Sequence, residues 1–251
     1  FSSIGVNLAC APALLGNVVL WKPATTAALA AWRAMELLRE AGLPDGVISL
    51  IPGDGPEQGE AALASKHLAG VHFTGSTKTF RSLWKAVANN LEHYRSFPRL
   101  VGETGGKDFM VVHPSADLRS AATAIVRGGY EYQGQKCSAL SRLYVPRSLW
   151  PQLRDAVVAD LESMKVGDVR DFSTFMGAVI DRPAFDRIRA YTELAKATGR
   201  VHHGAHCDDR EGYFVQPTFV EVDDPKHRLM QEEIFGPVVT AYVYDDAKWT
   251  D

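Results

Sequence analysis

Apolar and polar positions alternate between two periods along the whole chain. Short apolar runs, Val18-Val-Leu-Trp21, Val47-Ile-Ser-Leu-Ile51 and Ala69-Gly-Val-His-Phe-Thr74, have the length and branched content of buried strands. Longer stretches of helical period lie between them. Thr25 or Thr26 is placed to cap a helix with Ala28, Ala31, Met35 and Leu38 on its inner face, ended by Gly42 and Pro44. Pro56 to Ser65 and Thr77 to Asn90 read as further helices, and Leu100-Val101 opens a strand that leads to Glu103. Ahead of the first strand, Ala11 to Asn17 reads as a short helix ending at Gly16.

Beyond Gly106 the same alternation continues. Strands are expected at Phe109–His113, Leu143–Val145, Tyr213–Val215 and Val238–Tyr244. Helices are expected from an Asp117 cap to about Gly129 and from Ser148 to Met164, the latter with Leu149, Leu153, Val157 and Leu161 in register. Another begins at Pro183, with Phe185, Ile188, Thr192 and Ala195 facing inward. The stretch Val201 to Gly212, which carries three histidines, reads as loop. Strand–helix alternation of this kind predicts an α/β fold with a parallel sheet covered on both faces, and right-handed crossovers would make it doubly wound. The glycines between Glu103 and Lys107 mark the expected boundary, giving domains 1–103 and 104–251.

Composition narrows the function. A chain of 251 residues that is 46% hydrophobic fills one large core or two modest ones. A formal charge of −3 gives no electrostatic reason to expect nucleic acid or an anionic membrane, and no apolar run approaches the length of a membrane span. Three widely spaced cysteines, Cys10, Cys137 and Cys207, fit free thiols in a reducing compartment. His202, His203 and His206 lie close together but have no partner at zinc-ligand spacing, so no metal is expected. The chain opens on Phe1-Ser-Ser-Ile and closes just past a strand-like run, which reads as an internal piece of a longer protein.

The chemistry centres on Glu131-Tyr-Gln-Gly-Gln-Lys-Cys-Ser-Ala-Leu-Ser-Arg142. Cys137 stands among small and polar residues, with Lys136 before it and Ser138 after it. A thiolate is a nucleophile, and a neighbouring cation favours it; a free cysteine is also a common small core residue. Upstream, Val101-Gly-Glu-Thr-Gly-Gly-Lys107 offers the carboxylate Glu103 on flexible backbone, a candidate general base. Phe73-Thr-Gly-Ser-Thr77 joins a strand to a helix, where Gly75 and Ser76 suit either a phosphate or an ordinary N-cap. Lys22 follows a strand at its carboxyl end, as a ribose contact or a solvated charge. Glu232-Glu-Ile-Phe-Gly-Pro237 either presents Glu233 and Phe235 to a cleft or plugs the core with Phe235.

Together these stretches resemble the aldehyde dehydrogenase superfamily. The resemblance rests on Gly16-Asn-Val-Val-Leu-Trp-Lys-Pro23, Phe73-Thr-Gly-Ser76, Gly102-Glu-Thr-Gly-Gly-Lys107, Gly134-Gln-Lys-Cys137 and Glu233-Ile-Phe-Gly-Pro237, and covers essentially the whole chain. Trp84, Phe97-Pro-Arg-Leu100, Tyr132-Gln-Gly-Gln-Lys-Cys-Ser-Ala139, Tyr144-Val-Pro-Arg-Ser-Leu-Trp150 and Phe175-Met-Gly-Ala-Val-Ile-Asp181 are similar to the branch of Δ1-pyrroline-5-carboxylate dehydrogenases, also called L-glutamate γ-semialdehyde dehydrogenases. So is Gly75-Ser-Thr-Lys-Thr-Phe80, with Phe80 where many relatives carry glycine.

The resemblance implies a Rossmann-like parallel-sheet cofactor domain followed by an α/β catalytic domain, both incomplete. It implies NAD as cofactor, with NADP left open, and oxidation of the semialdehyde to L-glutamate in proline breakdown through a cysteine thioester. Cys137 would be the nucleophile and Glu103 the base. Lys22 and Glu233 would hold the riboses, Gly75 and Ser76 the pyrophosphate, and Phe235 would lie by the nicotinamide. Ser138, then Lys136, would meet the substrate's carboxylate, and Phe1 would wall its aliphatic chain. An oxyanion asparagine would precede Phe1, while a glycine-rich substrate loop and the segments that build oligomers would follow Asp251. The parent would be a homo-oligomer acting on a small molecule, cytoplasmic in a bacterium and in the mitochondrial matrix of a eukaryote. Another semialdehyde as substrate, a noncatalytic fragment and a cysteine hydrolase are the alternatives.

Overall fold

The structure, a computed structural model, describes residues 2–249. Phe1 therefore lies outside the described residues. The chain divides into two compact units, Phe1–Gly105 and Gly106–Asp251.

The first unit runs α1 (Ser2–Leu14), β1 (Val19–Trp21), α2 (Ala28–Glu40), β2 (Ile48–Leu50), α3 (Gly55–Leu63), β3 (Gly70–Thr74), α4 (Thr77–Asn89) and β4 (Arg99–Glu103). Its strands pair in parallel, β1 with β2 and β3 with β4, as two separate pairs. One apolar cluster gathers Ala9, Trp21, Ala31, Met35 and Ile48, and a second gathers Leu63, Val87 and Tyr94. Tyr94 ties the second together by donating to the Leu63 carbonyl at 2.6 Å. Coverage on both faces does not hold here: Leu20 on β1 and Val101 on β4 are 62% and 57% exposed.

The second unit runs β5 (Phe109–Val111), α5 (Leu118–Tyr130), β6 (Arg142–Pro146), α6 (Trp150–Glu162), α7 (Arg182–Thr198), β7 (Arg200–His203), β8 (Cys207–Asp208), β9 (Phe214–Val215), β10 (Thr218–Val222), α8 (Arg228–Gln231) and β11 (Val238–Tyr244). Five strands form one sheet in the order β5-β6-β11-β10-β7, parallel except for the antiparallel edge strand β7. Successive residues of a strand point to opposite faces. Phe219, Val239 and Ala241 accordingly join a core with Ile125, Leu153, Val157 and Leu161 of α5 and α6. Val220, Val222 and Val238 join the other, with Phe185, Ile188 and Ala195 of α7 and Leu229 and Met230 of α8. This sheet is covered on both faces, and the loops that enter the amino ends of β6 and β11 carry the cysteine and the Glu233 segment.

Several local expectations are corrected. α1 begins at Ser2, well before Ala11, and includes Pro12 near its end. Thr25 and Thr26 form a 3-10 turn and neither caps α2, whose N-cap is Ala27 without a side-chain bond. The stretch Val201–Gly212 is not all loop: it holds most of β7 and all of β8. The buried strand β10 escaped sequence reading because Thr218 and Glu221 interrupt its apolar run.

Glu221 is tolerated there because its charge is answered. It accepts from Arg200 at 2.6 Å and pairs with His202 at 2.9 Å, while Arg200 also reaches Asp223 at 2.6 Å. Burial pushes the Glu221 carboxyl up, but the bonds from Arg200 and His202 outweigh it and hold it below the ordinary range. A carboxyl depressed in the folded state stabilises above its unfolded pKa, and that gain is lost as pH falls through the folded value. Glu221→Gln is therefore expected to cost about 1–2 kcal/mol at pH 7, with the difference from the parent shrinking in acid. Thermal melts of both proteins from pH 7 to pH 3 check this; a pH-independent difference contradicts it.

Candidate active site

The cysteine segment is held by backbone strain and two amide side chains. After α5, Tyr132, Gln133 and Gly134 adopt three successive left-handed conformations, with φ of 56°, 59° and 62°. Such geometry costs a non-glycine residue roughly 1–2 kcal/mol. Gln133 Nε2 donates to the Ala178 carbonyl at 2.9 Å, and Gln135 Oε1 accepts from the Ile180 N–H at 3.1 Å. Both glutamines thus pin the turn to residues 178–180. On the far side, the Leu140 N–H donates to the Gly128 carbonyl at 2.9 Å. Cys137 is half-buried between these tethers, and Ser138 is exposed.

The charge of Lys136 is engaged by Glu131. Its ammonium donates to Glu131 at 2.6 Å, and Arg127 reaches the same carboxylate at 2.9 Å. Lys136 first and Arg127 second hold the Glu131 carboxyl below its ordinary range.

A cleft beside Cys137 is lined by Lys107, Lys136, Ser141, Glu233, Phe235 and Gly236 among others. Residues 232–236 alternate as an extended segment would: Glu233 and Phe235 are exposed, Ile234 and Gly236 buried. The core plug is Ile234, fully buried, and not Phe235, which is 38% exposed with φ of 54°. Lys107 donates to Ser141 Oγ at 2.6 Å, and its carbonyl accepts from Arg142 Nε at 2.8 Å. Burial, aided by Arg142, pushes the Lys107 ammonium down to about 8, against the pull of Glu233 and Glu232.

In the first unit Glu103 ends β4 opposite Thr74 of β3, and its carbonyl accepts from the Gly75 N–H at 3.1 Å. Ser76 caps α4: its Oγ accepts from the Thr79 N–H at 3.0 Å. The N-cap reading thus holds, and the N–H groups of Thr77 and Lys78 are left without an intrahelical acceptor, as at any helix start. Phe80 stacks on Phe73 with ring centroids 5.8 Å apart and lies against Gly102, where a Cβ would collide with its ring. Lys22 follows β1, and its Nζ lies 3.5 Å from where a Cβ on Gly55 would be, at the start of α3.

The structure therefore brings Cys137, Lys136, Glu233 and Phe235 to one cleft in the second unit, and Glu103, Gly75 and Ser76 to adjoining strand ends in the first. Lys22 belongs to the other strand pair of the first unit, and Ser138 does not line the cleft. Sequence reading gave no role to Lys107, Gln133 or Gln135. The repeated glutamines around Gly134 were the available signal for the pinned turn. Among the described residues no group of three or more His, Cys, Asp and Glu is placed to hold a metal ion, and no helix is long and apolar enough to cross a membrane.

The model of the aldehyde dehydrogenase family matches residues 2–248. The chain is 53% identical to the mitochondrial Δ1-pyrroline-5-carboxylate dehydrogenase of Danio rerio over 249 residues, covering 98% of this chain and 45% of the relative. It is 52% identical to the Homo sapiens mitochondrial protein of the same name, over 100% of this chain and 45% of that one. The crystal structure of the Mycobacterium tuberculosis Δ-pyrroline-5-carboxylate dehydrogenase bound with NAD superposes with a TM-score of 0.92 at 48% identity, over 99% of this chain and 45% of that one. That of 1-pyrroline-5-carboxylate dehydrogenase from Thermus with bound NAD gives 0.92 at 33% identity, over 97% and 47%. The chain spans about half the length of the relatives it matches. A match along nearly its whole length, in sequence and in fold, means that the chain belongs to the aldehyde dehydrogenase family.

Proposed function

We propose that the chain carries the cysteine, the base and part of the cofactor site of an NAD-dependent L-glutamate γ-semialdehyde dehydrogenase, acting in proline breakdown. The observation that supports this most is the cleft in which Cys137 meets Glu233 and Phe235, in a chain about half identical to proteins named for that reaction. The compartment would be the cytoplasm of a bacterium or the mitochondrial matrix of a eukaryote, and the protein a homo-oligomer.

The residues suit a dinucleotide. The start of α4 offers backbone donors beside Gly75, which suit a pyrophosphate, with Ser76 holding the turn in shape. Lys22 and Glu233 would hold the two riboses, and Phe235 would wall the nicotinamide. When bound, this cofactor supplies the hydride acceptor. Use of NADP stays compatible with these residues.

Cys137, as thiolate, attacks the aldehyde carbon, and its own backbone N–H donates to the developing oxyanion. Loss of hydride from that adduct leaves a thioester on Cys137. Glu103 takes a proton from the water that opens the thioester, which releases the acid and restores the thiolate. Exposed Ser138 would hydrogen-bond the substrate's carboxylate. Lys136 is a weaker candidate for that charge because Glu131 already engages it. Phe1 would flank the aliphatic chain.

The test is NADH formation from pyrroline-5-carboxylate plus NAD, by this chain and by one extended at both ends to the length of its relatives. NADH from the extended protein, absent in its Cys137→Ala variant, supports the reading. A folded extended protein that makes none overturns it, and preference for succinate semialdehyde would reassign the substrate.

A further inference from the structure

The segment that presents Glu233 and Phe235 is fastened at alternate residues, and the fastening uses side chains outside the cleft. Glu232 accepts from Tyr191 Oη at 2.7 Å and from Arg228 through Nη2 at 2.9 Å and Nε at 3.2 Å. Two residues on, the Ile234 carbonyl accepts from Arg187 Nε at 3.3 Å. Ile234 itself is buried in the core beneath α7. Gly236 lies so close to α7 that a Cβ there would come within 2.6 Å of Ile188 Cδ1. Tyr191, Arg187 and Ile188 all belong to α7, so one rigid helix holds the segment at positions 232, 234 and 236. Positions 233 and 235 are thereby turned the other way, and Phe235 is kept at its positive φ of 54°.

We propose that Tyr191, Arg228 and Glu232 form a latch that positions Glu233 and Phe235 for the cofactor, making them positioning residues for the dehydrogenase reaction. The proposal rests on the reading of Glu233 and Phe235 as cofactor-side residues. The latch is charge-assisted: Arg228 first, then Tyr191, hold the Glu232 carboxyl below its ordinary range. Exposure of Arg228 makes that ion pair alone worth little, so orientation of the segment, more than global stability, is what the latch supplies.

The experiment uses the extended protein with Glu232→Gln, Tyr191→Phe and the double variant. KM for NAD is expected to rise about three- to tenfold in each single variant, as loss of a charge-assisted hydrogen bond predicts, with kcat within about twofold. The rate at which iodoacetamide alkylates Cys137 should stay at the parent value. The double variant should be no worse than Glu232→Gln, because both changes open one latch. Hydrogen exchange at the amides of residues 233–236 should speed up in every variant, and this readout does not depend on activity. Unchanged exchange overturns the latch. An unchanged KM for NAD, or a KM change matched by equal losses in kcat and in Cys137 alkylation, overturns the positioning role. If the parent makes no NADH while exchange speeds up in the variants, the latch stands and the dehydrogenase reading fails.

Discussion

In the extended protein, Cys137→Ala is expected to reduce NADH formation at least ~10⁴-fold while leaving the fold intact, because the proposed mechanism makes Cys137 the nucleophile and its loss removes the covalent path entirely. The change deletes one sulfur from a half-buried site whose turn stays fastened by Gln133, Gln135 and Leu140. The melting temperature should therefore stay within about 2 °C of the parent. Cys137→Ser should be nearly as inactive, since a hydroxyl is far harder to ionise than a thiol. The remaining cysteines give an internal control. Burial pushes the Cys207 thiol up, despite its hydrogen bond with Thr192, so it should alkylate slowly at neutral pH. Iodoacetamide mapping with peptide mass analysis should find activity lost in step with modification at Cys137. Retention of NADH formation by Cys137→Ala would sink the covalent mechanism and, with it, the role given to Glu103.

Where side-chain periodicity controls structure, the sequence was readable. β11 falls at Val238–Tyr244 as expected, and Asp117 caps α5 by accepting from the Ser120 N–H at 2.8 Å. Periodicity failed where polar side chains are satisfied by long-range partners. Glu221 looks like a surface residue until Arg200 and His202 are brought alongside it, and the histidines of β7 look like loop until β10 pairs with them. The site was legible in part for the same reason. Cys137 stands out locally by its small and polar neighbours, and Glu233 and Phe235 by a carboxylate next to a bulky apolar residue ahead of Gly236 and Pro237. Lys107 does not: its depressed ammonium depends on burial and on Arg142, thirty-five positions away. The latch at Glu232 depends on Tyr191, forty-one positions back, which no local pattern signals. Lys136 adds a partner that adjacency did not suggest, since its ammonium donates to Glu131, five positions back.

Gly134→Ala is expected to damage both stability and activity, for reasons specific to that position. Gly134 has φ of 62°, and a Cβ there would sit 2.5 Å from the Gly236 carbonyl oxygen and 2.9 Å from that of Gly129. Both neighbours are backbone, so no side chain can swing aside. Left-handed strain of about 1 kcal/mol adds to an overpacking cost of about 2 kcal/mol, for a total of about 3 kcal/mol. In a chain of this size that corresponds to a fall of roughly 6–12 °C in melting temperature. The strain must relax by separating the cysteine turn from the segment that carries Phe235, so kcat and KM for NAD should both worsen. Gly128→Ala is the matched control. It lies in the last turns of α5, and its added Cβ would make an ordinary 3.5 Å contact with Leu140, so alanine should be neutral or stabilising by up to about 1 kcal/mol. Calorimetry and NADH kinetics on the two variants separate close backbone approach from a general dislike of added methyl groups. Equal effects at 128 and 134 would show that the packing of Gly134 against Gly236 does not control the cleft.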